Sequence, residues 1–305
     1  MVSAFATYLG LNKYETLARL TAYVAPFPVI VGTALLLLDL GRPFAFYHLF
    51  TTIQITSPMS IGSWLLSIFI LISLVYFFLW LPRWLRQNVR LPLRLKDLFR
   101  GSHWQSLDEN QVYRGKRLLS AIGFPISLGV GIYTGILLGA VSARPFWNTP
   151  TVAQLFLFSA LSTGTAMILL LCCVTQYQKD RETFILEKQL VLSLDIVFIL
   201  LEIFIIIPFI LHNSLSTWSQ AQSLKLILGG VYTGWLWIGV VLLGLFVPLV
   251  IEIVEIWPLI IRRRRVHHSR AVTLFVVSCI LLGGFILRSV FVFAGQTSHF
   301  LPYPY

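Results

Sequence analysis

The amino-acid sequence predicts an all-α fold: a polytopic membrane helix bundle that forms one integral membrane domain over residues 1–305. Two observations predict it. Hydrophobic residues make up 57% of the chain and charged residues only 11%, whereas soluble domains are about half apolar and about a quarter charged. The mean hydropathy is +0.82. This composition excludes a soluble enzyme, a disordered chain and a disulfide scaffold.

Apolar runs define the expected spans. A transmembrane helix needs about 20 mostly apolar residues to cross roughly 30 Å of hydrocarbon. Runs of that length lie at about 17–38, 58–81, 117–138, 151–173, 190–211, 224–248 and 271–293. The apolar piece at residues 1–11 reaches about half of that thickness, at about 1.5 Å per residue. We therefore expect seven full spans after a partial first helix, and an upstream apolar segment of roughly ten residues in the native protein.

The positions of Lys and Arg predict the orientation. Of the 23 Lys and Arg residues, 19 fall in or beside loops on one side, at about 9–19, 82–117, 174–189 and 257–270. The positive-inside rule makes that side cytoplasmic and places the C-terminus outside, in a multi-pass protein of the cytoplasmic membrane. The net charge of +11 is thereby explained by topology and membrane lipid, and it gives no reason to expect a nucleic-acid partner.

The residue types needed for a bound metal are poorly placed. The six histidines lie in loops or at span ends, and the three cysteines have no metal-binding spacing. Haem, an iron–sulfur cluster or another metal site in this chain is therefore not expected. The sequence also shows no motif for ATP, serine-hydrolase or zinc-protease chemistry, so we expect no catalytic residue.

Charged residues within the expected spans need an explanation, because each costs about 2.5–3.5 kcal/mol at the centre of a membrane helix. Asp195 and Glu202 are seven residues apart and share one helix face. Arg288 lies in the last span. These three residues form either a proton path from Asp195 through Glu202 toward the outer side, or a structural Glu202–Arg288 pair with Asp195 reaching the membrane interface. The sequence leaves both open. Glu252 and Glu255 follow Pro248, and we expect them to be ordinary residues at the inner membrane edge.

The loop after span 17–38 carries a compact polar sequence with Asp39, Gly41, Arg42 and His48. By residue type alone, Gly41 and Pro43 end the helix and Asp39 accepts hydrogen bonds from the backbone of the turn.

The order of the residues carries more information than their types. Leu38-Asp-Leu-Gly-Arg-Pro43, followed by Ser57-Pro-Met-Ser-Ile-Gly-Ser-Trp64, resembles the NrfD family of membrane subunits in polysulfide-reductase-like complexes. Further matches are Tyr133-Thr-Gly-Ile-Leu-Leu-Gly139, Pro145-Phe-Trp-Asn-Thr-Pro150, Leu155 to Gly164, Gly244-Leu-Phe-Val-Pro248 and Gly283-Gly-Phe-Ile-Leu-Arg288. The resemblance covers about residues 15–297.

The resemblance implies an eight-helix membrane subunit without a metal of its own. Such a subunit exchanges electrons between a quinone, either menaquinone or ubiquinone, and an iron–sulfur subunit of the four-cluster ferredoxin type. That partner usually connects to a molybdopterin enzyme or to a cytochrome nitrite reductase. The quinone site lies near the outer face, and the resemblance assigns Tyr133 to the headgroup. We expect Asp39, Gly41, Arg42 and His48 to lie beside it, and Gly131 and Gly135 to leave space for the ring.

Two other functions stay open on the sequence. A proton or small-solute transporter would use Asp195, Glu202 and Arg288, and such transporters often have inverted repeats with interrupted helices at matched positions. Proline interruptions occur in this sequence, but matched pairs are not evident. A passive anchor would only tether a redox enzyme to the membrane. The direction of electron flow, the quinone type and the terminal acceptor are not encoded in any feature of the sequence.

Overall fold

The structure is a computed structural model that describes residues 2–39, 41, 44, 46–51, 54, 56–81, 109–174, 181–262 and 270–300. Regular structure in these ranges is helical. Seven of the described helices are long and apolar enough to cross a membrane, which confirms the predicted helix bundle. The chain divides into two compact units, residues 1–130 and 131–305. The interpretation as one membrane domain stays a prediction.

Within its described residues, the first unit contains four helices and the start of a fifth. They are α1 (Val2–Val24), α2 (Pro26–Asp39), α3 (His48–Thr51), α4 (Pro58–Trp80) and the first part of α5 (Glu109–Gly139). The rings of Tyr23 and Phe27 pack edge-on against Phe77 of α4, with centroid distances of 5.4 and 6.1 Å. Tyr23 also donates a hydrogen bond of 2.8 Å to the carbonyl of Trp80. These contacts hold the bend between α1 and α2 against α4.

The start of the chain differs from the prediction. A partial helix over residues 1–11 and a loop near 9–19 were expected, but α1 runs without interruption from Val2 to Val24. The charges of Lys13 and Glu15 suggested a loop. Both residues have adequate helix propensity, however, so the helix continues through them. The bend comes later, at Ala25, where Pro26 begins α2 and cannot donate a backbone hydrogen bond.

The second unit contains the remaining helices. They are the last part of α5, then α6 (Thr151–Val174), α7 (Arg181–Leu215), α8 (Trp218–Leu224), a π-helix (Trp235–Phe246), α9 (Val247–Arg262) and α10 (Arg270–Thr297). Two of the prolines that interrupt the apolar runs, Pro125 and Pro208, lie inside α5 and α7. The predicted span at 224–248 is displaced, because residues 225–232 form turns and the apolar helix occupies Trp235–Trp257.

The connection between α5 and α6 is stabilised by aromatic packing and by one hydrogen bond from an indole. The rings of Phe146, Phe209 and Phe291 lie 5.0–5.5 Å apart between centroids. Beside them, Trp147 Nε1 donates a hydrogen bond of 2.7 Å to the carbonyl oxygen of Phe291. The connection between α5 and α6 is thereby packed into the core.

Close backbone approach joins the π-helix to α10. A Cβ added to Gly244 would lie 2.7 Å from the Cα of Gly283, and the reverse substitution would overlap Gly244 in the same way. Small residues at such crossings are typical of packed membrane helices, since they let two backbones come into contact. This contact holds α10, which carries Arg288, against the π-helix that leads into α9.

Candidate functional site

The polar loop predicted to take part in the site belongs to the first unit. Asp39 is the last residue of α2, and Gly41 lies in the following bend with no atom within 4 Å of a Cβ built on it. Arg42 lies outside the described residues. His48 begins α3 and is exposed, and its ring lies 4.2 Å from the ring of Tyr47. The loop therefore presents an imidazole at the surface of its unit.

Tyr133 belongs to the second unit, near the end of α5. Its side chain is buried, with 6% of its surface exposed. Within the described ranges, no hydrogen bond forms to its hydroxyl group. A Tyr hydroxyl group can both donate and accept a hydrogen bond, and at Tyr133 the described residues use neither capacity. The hydroxyl therefore has the capacity to bind a polar ligand atom.

The space expected beside Tyr133 is filled by α6. A Cβ added to Gly131 would lie 2.9 Å from Leu157, and one added to Gly135 would overlap the backbone of Ala153. The prediction that these two glycines leave room for a quinone ring is therefore wrong. Their absent side chains allow α5 and α6 to pack closely, so a ligand of Tyr133 has to approach from another side.

Glu202 and Arg288 come together in the second unit, on α7 and α10. Glu202 is 2% exposed, Arg288 is partly buried, and their charges act on each other. Among the described residues, however, Glu202 and Arg288 form neither an ion pair within 4.0 Å nor a hydrogen bond with each other. The hydroxyl of Ser159 on α6 faces the Glu202 carboxyl group. The structure thus brings two of the predicted residues into one polar region without a direct contact.

Asp195 lies nearer to the start of α7 and is fully buried. Thr165 Oγ1 on α6 donates a hydrogen bond of 2.8 Å to Asp195 Oδ1. The prediction that a structural Glu202–Arg288 pair would leave Asp195 at the membrane interface is not compatible with this burial. Asp195 also acts electrostatically on Glu202, so the two carboxyl groups belong to one region of the second unit.

Glu252 is not the residue at the inner membrane edge that the sequence predicted. Its side chain is 0% exposed, and its carboxyl group faces Asp195 within hydrogen-bonding reach. The error follows from the displaced span, because Glu252 lies inside the apolar helix once that helix extends to Trp257. The sequence signal that could have revealed it is the run from Val247 to Ile261, in which the two glutamates are the only charged residues.

A buried ion pair lies one helical turn from Glu252. Lys188 Nζ lies 3.1 Å from Glu255 Oε1 and donates a hydrogen bond of 2.9 Å to Thr273 Oγ1. The side chains of Lys188 and Glu255 are 5% and 11% exposed. Glu255 is therefore also more buried than predicted, although its charge is balanced by a lysine.

No group of three or more His, Cys, Asp or Glu in the ranges that the structure describes is arranged to hold a metal ion. The polar groups around the buried carboxyl groups of α7 and α9 are instead hydroxyl groups together with the cations of Lys188 and Arg288. This set is suited to moving or holding protons and to hydrogen-bonding a small organic group. The assignment of metals to partner subunits stays a prediction.

The seven apolar helices define an integral membrane protein of the helix-bundle class. A family model described as polysulphide reductase, NrfD, matches residues 1–299. The chain belongs to the NrfD family.

Individual relatives agree with this membership. The sequence is 31% identical to Protein NrfD of Escherichia coli (strain K12) over 287 residues, which cover 92% of this protein and 83% of the relative. It is 28% identical to one of the polysulfide reductase chains of Wolinella succinogenes over 292 residues, 94% of this protein and 84% of the relative. A selenate reductase subunit of Mesobacillus selenatarsenatis is 26% identical over 56% of this protein and 43% of its own length.

Proposed function

We propose that this protein is the membrane subunit of a respiratory oxidoreductase complex and exchanges electrons between a membrane quinone and a four-cluster iron–sulfur subunit. Membership of the NrfD family supports the proposal. So do the names of two relatives, which make one a component of a polysulfide reductase and the other a component of a selenate reductase. A molybdopterin or cytochrome enzyme then completes the complex and reduces the terminal acceptor.

The observation that carries the quinone assignment is Tyr133, a mostly buried side chain whose hydroxyl group makes no hydrogen bond among the described residues. A quinone headgroup carries a carbonyl oxygen when oxidised and a hydroxyl group when reduced. A tyrosine hydroxyl both donates and accepts, so Tyr133 can bind either form. The bound quinone supplies the two-electron, two-proton chemistry, and Tyr133 orients its headgroup oxygen.

The loop with Asp39, Gly41, Arg42 and His48 is the second set of candidate ligands. Its assignment rests on the resemblance of the Asp-Leu-Gly-Arg-Pro sequence, and the exposed imidazole of His48 offers ring nitrogens that can hydrogen-bond a headgroup oxygen. Replacing His48 by Gln tests this loop separately from Tyr133. Unchanged quinol oxidation in that variant would remove His48 from the site.

The experiment for Tyr133 is the Tyr133→Phe variant in the purified complex. The ring stays and one hydroxyl is lost, so assembly with the iron–sulfur partner should be normal. Quinol-linked turnover should fall about 100-fold, the scale of one lost proton-transfer group. Electron transfer from an artificial dye directly to the partner should not change. Tyr113→Phe, on the same helix and exposed, is the matched control and should keep full activity.

A passive membrane anchor predicts a different result in the same experiment. It requires assembly alone, so Tyr133→Phe would then behave like Tyr113→Phe with both electron donors. Equal quinol turnover in the two variants would therefore refute the assignment of Tyr133.

Proton movement through the second unit is a second candidate function. The observation that favours it is the burial of Asp195 and Glu202 on one face of α7, with 0% and 2% of their surfaces exposed. The positive charge of Arg288 interacts with the carboxyl group of Glu202. If the Lys188 end is cytoplasmic, as the distribution of basic residues predicts, the path leads from Asp195 through Glu202 toward the outer face.

A further inference from the structure

Two fully buried carboxyl groups meet between helices α7 and α9. Asp195 and Glu252 are both 0% exposed, and their carboxyl groups face each other within hydrogen-bonding reach. The proposed quinone site uses neither residue. The pair therefore needs an explanation of its own.

The hydrogen bonds around the pair are incomplete. Thr165 donates to Asp195 Oδ1 at 2.8 Å. Asp195 Oδ2 and both carboxyl oxygens of Glu252 are buried, and none of them receives a hydrogen bond from the part of the protein that the structure describes. The Ser162 hydroxyl on α6 is also buried without a partner there and lies on the Asp195 side of the pair. Three carboxyl oxygens thus lack a donor in a position closed to solvent.

Two ionised carboxylates do not satisfy this geometry, because each is only an acceptor. Their like charges would repel across a short distance, and each charge would lose its hydration. One proton placed between them changes the arrangement completely. The protonated carboxyl group donates to its neighbour, and only one negative charge remains for the hydroxyl groups of Thr165 and Ser162 to stabilise.

The surrounding charges do not replace that proton. Among the described residues, the charged groups that act on the pair are Lys188, Glu255 and Glu202. Lys188 is already bound to Glu255 at 3.1 Å, and Glu202 adds a further carboxyl group. Arg288 acts on Glu202 at the other end of the region. A cation that would neutralise a second carboxylate is therefore not supplied by these neighbours.

We propose that Asp195 and Glu252 share one proton and form a proton-holding site inside the second unit, distinct from the quinone site. Release of that proton leaves two carboxylates, and uptake restores one carboxylic acid hydrogen-bonded to one carboxylate. No electron moves in this step. The Ser162 and Thr165 hydroxyl groups stabilise the charged form.

Infrared spectroscopy of the complex in native membranes tests the proposal. A buried carboxylic acid absorbs separately from carboxylates, and its carbonyl band shifts when H₂O is replaced by D₂O. We expect such a band near neutral pH, and we expect Asp195→Asn and Glu252→Gln each to abolish it. In either variant the amide can donate to the remaining carboxylate, so the helices should still assemble. Glu15→Gln, which changes an exposed carboxylate on α1, is the control and should leave the band unchanged.

Three results of this measurement would overturn the proposal of a shared proton. Absence of the band in the unmodified protein near neutral pH would overturn the proposal, and this test needs no variant. A band that disappears only in Glu202→Gln would also overturn it, because the proton would then reside on Glu202. Stronger thermal stabilisation by NaCl than by KCl, together with a missing band, would identify a sodium ion in place of the proton. Quinol is not part of the measurement, so a failure of the Tyr133 assignment leaves the result unaffected.

Discussion

The ammonium group of Lys188 binds Glu255 across two helices while both side chains are almost completely buried, with a distance of 3.1 Å between Nζ and Oε1. Thr273 on α10 accepts a second hydrogen bond from the same ammonium group, at 2.9 Å. One lysine therefore links α7, α9 and α10. Because a membrane offers no water to a charge that loses its partner, the stability of this contact depends on both members being present.

The first prediction concerns this ion pair. Lys188→Met removes the ammonium group that pairs with the buried Glu255 carboxylate and should lower the free energy of unfolding by about 3–5 kcal/mol. The double change Lys188→Met with Glu255→Leu removes both charges and should recover most of that loss. Thermal denaturation of the detergent-solubilised complex measures both effects.

The control for the ion pair is Lys225→Met. Lys225 is exposed, so its replacement should change the free energy of unfolding by no more than about 0.5 kcal/mol. If Lys188→Met is as stable as Lys225→Met, the buried pair contributes nothing and the argument for it fails.

The second prediction concerns Gly295, which packs against the indole of Trp147. A Cβ at position 295 would overlap the five-membered part of the Trp147 ring. That ring is fixed by its hydrogen bond of 2.7 Å to the carbonyl of Phe291, so it cannot move aside without losing a buried partner. We expect Gly295→Ala to destabilise the protein by about 1–3 kcal/mol, the usual cost of overpacking a core.

Gly164→Ala separates this packing effect from a general response to losing a helical glycine. A Cβ at Gly164 meets no atom within 4 Å, and alanine is favoured over glycine in a helix interior by about 0.5–1 kcal/mol. This variant should therefore be as stable as the unmodified protein or slightly more stable. A loss of stability in both variants would mean that contact with Trp147 is not the cause.

The apolar runs were sufficient to predict the seven spans because length and composition alone determine whether a helix can cross a membrane. They did not locate the ends of the sixth span. Residues 224–234 carry no acidic residue, and neither does the π-helix Trp235–Phe246 that follows. The turn there is marked mainly by Gly229, whose φ of 152° favours glycine. The predicted span therefore began about ten residues early, and Glu252 was left outside it.

The candidate site was also predicted only in part. That Glu202 is buried could be predicted, since it lies near the middle of an apolar run. Asp195 lies near the start of that run, and the sequence left its burial open. That Glu252 meets Asp195 could not be predicted, because the pairing of α7 with α9 is a tertiary contact between residues 57 positions apart in the sequence. The role expected of Gly131 and Gly135 failed for a related reason, since a missing side chain does not show whether a ligand or a neighbouring helix fills the space.

The third prediction distinguishes the two interpretations of Glu202 and Arg288. A structural pair would make Glu202→Gln as damaging to assembly as Arg288→Met, because either change would leave one buried charge unbalanced. Since the two side chains do not form an ion pair within 4.0 Å in the part of the protein that is described, we expect Glu202→Gln to assemble normally. Proton-linked turnover should then fall, measured as proton release by complexes in sealed vesicles during quinol oxidation.

Dye-linked electron transfer provides the control for Glu202→Gln, because it does not involve proton movement through the second unit and should stay unchanged. Full proton-linked turnover together with normal assembly would contradict both interpretations of Glu202.

The last prediction is the orientation of the protein in the membrane, which the basic residues at positions 82–117 predict by the positive-inside rule. Cysteines introduced one at a time at Ser102 and Ser142 test it by labelling in intact cells with a reagent that does not cross the membrane. Ser142 lies in the exposed turn after α5, and Ser102 belongs to this basic part of the sequence, outside the described residues. The three native cysteines, Cys172, Cys173 and Cys279, have to be replaced first so that only the new thiol reacts. We expect the cysteine at position 142 to be labelled in intact cells and the one at position 102 only after the membrane is permeabilised. The opposite pattern would place the basic loops outside, and Tyr133 would then lie toward the cytoplasmic face, where a partner subunit would have to bind from within the cell.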